Sequence, residues 1–243
     1  MALDEAEMGI LDPSGASDWT ALHGAAIAER SVWFQFTLSN TDYMGAGKLL
    51  VDMLERDNDS RLNIYFLGSG NQDIIGVSPG DSIQNASMLN ITGHYGMQWE
   101  PEFVSWYENS FIQAECHYKL GNEGLALAKL NETLDGIEQR WQSLGFSSAS
   151  IPRYIDLSGE ELFAAIMNEK YKALFLNMQS WSDWRRTGYP NFIDSENNST
   201  ECGGASEGNG VPRRLLYPEK EKASNPNCPQ NDDIYDRLEN DPN

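Results

Sequence analysis

Between residues 101 and 144 apolar side chains recur at three- and four-residue steps, the mark of helices with one buried face. Pro101 stands where proline is tolerated at a helix start, and Phe103, Val104, Tyr107, Phe111, Ala114 and Tyr118 follow as one stripe. Gly121 stops that helix and Asn122 can cap the next. Its stripe is Leu127, Leu130, Leu134, Ile137 and Trp141, with Gly145 at its end. The pattern predicts an antiparallel helical hairpin over 101–144. A third helix opens on SGEE, where Ser158 can cap and Glu161 can reach back as a capping box. It is expected to run unbroken through LFAAIMNEKYKALFLNMQSWSDWRR, with Leu162, Phe163, Ile166, Leu174, Met178 and Trp181 near one face and Trp184 extending it. Arg185 and Arg186 then complement the helix dipole, Gly188 ends the helix left-handed, and Pro190 prevents its continuation. The SWSDWRRTGYP stretch at 180–190 therefore reads as a packed helix end and not as a ligand site.

The first half is less regular. A weak helix is expected from Trp19 to about Arg30, and a better one from Asp42, which can cap, to Arg56, with Met44, Leu49, Leu50, Met53 and Leu54 as its stripe. DNDSRL breaks it at 57–62, and 68–100 is a long loop of the kind that usually carries function. After Pro190 the acidic, Gly/Ser/Asn-rich stretch at 194–210 reads as a mobile surface loop. VPRRLLYPEKE returns briefly to order before a tail of turn composition. The fold class predicted is all-α, mainly helix with long loops.

Charge narrows the partners. The chain of 243 residues carries 37 acidic and 17 basic residues, a formal net charge of -20. That field repels phosphate backbones and anionic membrane surfaces, so nucleic acid is excluded and neutral or cationic ligands are favoured. No apolar run is long enough to span a bilayer, and the start lacks the basic and apolar regions of a signal peptide. The protein is then either cytoplasmic or a piece of a longer chain. Cys116 sits in a helical pattern as a small apolar residue. Cys202 and Cys228 both lie in loop composition, and a bridge between them stays open. With three histidines and no CxxC a zinc site has no support, and no cofactor is expected. NQD at 71–73 and DSENN at 194–198 offer oxygens of the kind calcium takes, but without EF-hand spacing, and are read as solvated loops.

Binding chemistry is sought in the long loop. GHYGMQWEPEF places His94, Tyr95, Gln98 and Trp99 within a few residues after a Gly-rich approach. Flat aromatic faces suit the C–H faces of a sugar ring, and polar neighbours suit its hydroxyls. These four are the candidate ligand-binding residues. No catalytic motif appears, and with so many acidic residues carboxylate pairs say little about glycoside hydrolysis.

Four segments together resemble the SusD/RagB family of glycan-binding lipoproteins, the SusD-like group. FVSWYENSFIQAECHYKLGN resembles the helix opening its core repeat, and EELFAAIMNEKYKALFLNMQSWSDWRRTGYP its long helix ending in an arginine pair before Gly-Tyr-Pro. VPRRLLYPEKEKASNPN resembles its Arg-Arg-Tyr-Pro segment. DNDSRLNIYF resembles its Asn-Asp-Pro-Arg-Leu element, with Ser60 in the proline's place. The hairpin at 101–144 resembles one tetratricopeptide unit, though no second copy at fixed period is seen. Because family members are about twice as long, residues 1–243 resemble the C-terminal portion of a single SusD-like domain.

The resemblance implies a non-enzymatic protein at the outer face of a Bacteroidetes outer membrane, held by a lipid anchor absent from this chain. It would bind oligosaccharide or peptide nutrients and deliver them to a SusC-like TonB-dependent transporter. The alternatives are a tetratricopeptide-type protein-interaction module and a glycoside hydrolase.

Overall fold

The computed structural model describes residues 1–9, 11–40, 43–68, 73–78, 82–191 and 212–237. In chain order they form α1 (Ala2–Glu7), β1 (Trp19–Thr20), a 3-10 turn (Ile27–Glu29), α2 (Val32–Ser39), α3 (Lys48–Arg56) and α4 (Arg61–Tyr65). Then come β2 (Phe66–Leu67), β3 (Met88–Leu89), β4 (Glu102–Val104), α5 (Trp106–Lys119), α6 (Glu123–Ser143), α7 (Gly159–Ala173), α8 (Gln179–Thr187) and α9 (Glu219–Ser224). The fold is all-α, with two short antiparallel ribbons, β1–β4 and β2–β3. No helix among the described residues is long and apolar enough to cross a membrane.

α5 and α6 form the hairpin that their periodicity predicts. Ser110 meets Thr133 at 2.6 Å, and a Cβ on Gly136 would strike the Trp106 ring, which sets the two helices antiparallel and close. Gly121 turns between them at φ +79°, a conformation glycine adopts without strain. α7 closes the first core, in which Phe111, Leu130, Leu134, Leu162 and Ile166 are fully buried. A second core gathers Leu50, Leu54, Ile64, Tyr65, Phe66, Leu89 and Tyr95 around α3 and α4. Trp141 of α6 packs against both cores.

Ions join the cores where DNDSRL leaves α3. Arg61 is fully buried between Asp59 and Glu169, Tyr154 donates to Glu169 at 2.7 Å, and Lys172 reaches Asp57 at 3.0 Å. Burial works against the Asp59 charge, but Arg61 and Lys172 prevail and hold its carboxyl below the usual range. Ser60 explains its own presence: its N–H donates to Ser150 O at 3.1 Å and its hydroxyl accepts from Ser150 N–H at 2.9 Å. Proline would lose the first bond.

Several boundaries differ from expectation. The helix expected over 19–30 is instead β1 and the 3-10 turn, and α2 follows unforeseen. Helix 42–56 begins only at Lys48, with Gly47 at its cap; Asp42 lies outside the described residues. Pro101 opens no helix. Its carbonyl accepts from Ala21 N–H at 3.0 Å within the β1–β4 ribbon, and α5 starts after Ser105, whose hydroxyl accepts from Glu108 N–H at 3.3 Å. The capping box does not form, since Ser158 caps α7 without a side-chain hydrogen bond.

The long third helix breaks between Ala173 and Gln179, where Leu176 adopts φ +65°. The break lets Phe175 stack on Tyr65 in the second core at 4.5 Å and 13°, and Asn177 then accepts from Gln179 N–H to start α8. The helix end matches expectation. Gly188 is left-handed, the Arg185 guanidinium lies 4.4 Å from the Trp181 ring, and Arg213 covers Trp184 at 4.8 Å. Trp184 is buried and Trp181 half-buried. Cys116 is half-buried, with burial pushing its thiol pKa up, and Cys228 is buried; Cys202 lies outside the described residues, as does the loop 194–210.

Candidate functional site

The loop at 90–100 is hung on one side chain. Asn90 donates its N–H to Tyr65 O at 2.9 Å and its amide nitrogen to Asn63 O at 3.2 Å. Its amide oxygen accepts from Gly93 N–H at 2.9 Å, and its carbonyl accepts from Tyr95 N–H at 3.2 Å. Gly93 has no room for a Cβ, which would meet that same amide at 2.8 Å. Further along, Met97 O accepts from Ser31 N–H at 2.8 Å, fastening the loop to the start of α2.

The loop forms one wall of an open cleft of about 1070 Å³. Ser14, Gly15, Ala16, Asp18, Thr20 and Phe34 also line it, and the more deeply set Glu102 and Arg140 form its floor. Arg140 Nη1 lies 2.6 Å from Asp18 and Nη2 lies 2.5 Å from Glu102. Asp18 also accepts from Trp106 N–H at 2.7 Å, and Tyr107 donates its hydroxyl to Glu102. Gly15, at φ +76°, lies against the guanidinium so closely that a Cβ would come within 2.5 Å of Cζ. Thr20 donates to Glu100 at 3.0 Å on the rim.

Burial dominates the electrostatics. It raises the Glu102 carboxyl, against the pull of Arg140, and raises the Tyr107 hydroxyl well above its usual range. It works against the Arg140 charge, but Glu102 and Asp18 outweigh it and keep that guanidinium more firmly protonated. Burial, with Arg140 nearby, depresses His94 to about 4, so the ring is neutral at physiological pH.

Of the four residues singled out from the sequence, His94, Gln98 and Trp99 line the cleft. Tyr95 does not. It is 3% exposed and packs beneath, edge-on to Trp99 at 4.8 Å and to Tyr65 at 6.0 Å. The sequence reading missed Asp18, Glu102 and Arg140, which come from distant parts of the chain and from unremarkable polar positions. Neither Trp181 nor Trp184 lines the cleft. Among the described residues no group of three or more His, Cys, Asp or Glu side chains is placed to hold a metal ion. Most of the acidic stretches weighed for calcium lie outside those residues.

Comparison with known proteins bears on most of the chain. Residues 2–218 match the SusD-like family described as starch-binding and associating with the outer membrane. No curated protein matches the chain. A SusD homolog from Bacteroides fragilis NCTC 9343 shares the fold with a TM-score of 0.68 at 19% identity, over 91% of this chain and 55% of that one. A second SusD homolog from the same organism matches with a TM-score of 0.63 at 17% identity, over 91% and 54%. A chitin-binding protein matches with a TM-score of 0.61 at 22% identity, over 86% and 50%. The chain thus spans about half the length of the solved structures it resembles.

Proposed function

The chain belongs to the SusD-like family, and on that premise we propose that its cleft binds oligosaccharide at the cell surface for nutrient uptake. The observation that carries this reading is the convergence of Trp99, Gln98, His94 and Thr20 on one open cleft of about 1070 Å³. That volume is at the upper end of ligand sites in general. An indole supplies a flat face for a sugar ring, and the amide and hydroxyl supply hydrogen bonds that neutral sugars can return. The likeness in fold to a chitin-binding protein supports the same class of ligand. The family's association with the outer membrane supports a surface location, with a lipid anchor on the full-length protein and a SusC-like TonB-dependent transporter as the recipient of the ligand.

We read the protein as non-catalytic. Of the three carboxylates that line the cleft, Asp18 and Glu102 are both held by one guanidinium, which leaves Glu100 without the second free carboxyl that a glycosidase pair needs. The interaction-module alternative gains little, because α1 and α7 both pack on α5 and α7 also packs on α6, so part of the hairpin surface is already occupied.

Calorimetric titration with neutral gluco- and chito-oligosaccharides tests the reading. Trp99→Ala should weaken binding about tenfold, roughly 1.4 kcal/mol. Because the Trp99 ring also packs on Tyr95, Gln98→Ala at an exposed position serves as a second variant with no packing role. Affinity unchanged in both variants would overturn the assignment of the cleft.

A further inference from the structure

The ionisable groups of the cleft are unbalanced. Among the described residues its lining holds Asp18, His94, Glu100, Glu102 and Arg140. The one permanent cation is committed, since both Arg140 terminal nitrogens are taken by Asp18 and Glu102 and its side chain is only 16% exposed. His94 adds no charge at neutral pH: its ring is wedged edge-on against Trp141 at 4.7 Å, and burial holds it in the neutral form. Glu100 differs from the other two carboxylates. It is exposed on the rim and accepts a hydrogen bond from the Thr20 hydroxyl, a neutral partner. Three carboxylates therefore face one guanidinium, in a chain of formal net charge -20.

Resting on the oligosaccharide reading above, we infer that the cleft is charge-selective: it favours amine-bearing hexosamine chains over neutral ones and disfavours chains carrying uronate or sulfate, with Glu100 as the anchor for the ammonium. An anionic sugar entering here meets surplus negative charge and no uncommitted cation to receive it. An ammonium brings three donors to a carboxylate that has lone pairs to spare. A single exposed ion pair is a small effect, so the preference is modest, about two- to fivefold, and is screened by salt.

The test compares three oligomers of equal length: glucosamine, N-acetylglucosamine and galacturonate, at mildly acidic pH and at low and high salt. The expected order of affinity is glucosamine, then N-acetylglucosamine, with galacturonate weakest. The ratio of the first two should shrink toward one in high salt and in Glu100→Gln. Glu132→Gln, an exposed carboxylate on α6 outside the cleft, should leave the ratio as it is, which separates local recognition from general attraction to an acidic protein. If the acetylated oligomer binds as well as the amine, if galacturonate binds as well as N-acetylglucosamine, or if Glu132→Gln lowers the ratio as much as Glu100→Gln, the charge preference is overturned while the oligosaccharide reading stands. Failure of all three oligomers to bind would overturn both.

Discussion

Arg140→Met removes the floor of the cleft while keeping an apolar stem of similar length. It leaves Asp18, whose side chain is fully buried, with the Trp106 N–H as its remaining donor, and Glu102 with the Tyr107 hydroxyl. Breaking a fully buried ion pair from one side costs about 3–5 kcal/mol. Arg140 and Glu102 are 16% and 18% exposed, so water can partly replace the lost partner and the low end, about 3 kcal/mol, is expected. For a chain of this size that is a fall of about 6–12 °C in the melting midpoint. The pH dependence has a definite sign. The folded Glu102 carboxyl is raised by burial, so it contributes stability in acid that is lost as pH rises through its folded value. Arg140 is the main group pulling that value down, and its removal raises it further. The penalty in Arg140→Met should therefore be largest at neutral pH and shrink in acid. Thermal unfolding of wild type and variant at neutral and acidic pH measures this. A drop under about 2 °C at neutral pH, or a penalty that does not shrink in acid, would refute the clamp as drawn.

His94 gives a second pH signature: its folded value near 4 lies below the ordinary 6.5, so the neutral ring stabilises the fold above 6.5 and that stability is lost as pH falls toward 4, at most about 3 kcal/mol. His94→Phe should flatten the melting midpoint across that window, and parallel curves for variant and wild type would contradict it. Arg185→Ala removes a 3.0 Å bond to Arg213 O and the cation over Trp181, and should lower the midpoint by about 3–6 °C without altering oligosaccharide affinity. An unchanged midpoint would mean that the arginine pair does not hold the helix end.

The helical hairpin was legible because its two stripes are long and each ends on a glycine that the turn requires, Gly121 at φ +79° and Gly145 at φ +100°. Two of the boundaries that went wrong share one cause: partners distant in sequence overrode local preference. Pro101 has the local look of a helix start, but its carbonyl is claimed by Ala21 and its neighbours pair with Trp19 and Thr20. The long third helix keeps its apolar spacing through Leu174, yet Phe175 finds Tyr65 in the second core, and the backbone turns at Leu176 to reach it. Nothing within a helical window reveals a stacking partner more than a hundred residues away.

The same limit governs the site. Aromatics clustered in a loop drew the candidate site to residues 94–99, and three of the four candidates line the cleft. The composition of the loop could not say which ring faces inward. The Asn90 carbonyl accepts from the Tyr95 N–H and the Tyr95 ring packs under Trp99, while Gln98 is exposed and His94 lines the cleft half-buried. Arg140 had no signal of its own, since an arginine near the end of an amphipathic helix is ordinarily a solvated cation favouring the dipole. What makes it part of the site is the first strand, which brings Asp18 within 2.6 Å across 122 residues of chain. The cleft is thus a product of the β1–β4 ribbon as much as of the aromatic loop. Because that ribbon ties Thr20 to Glu102 in register, the rim hydroxyl that steadies Glu100 and the floor carboxylate that holds Arg140 stand or fall together.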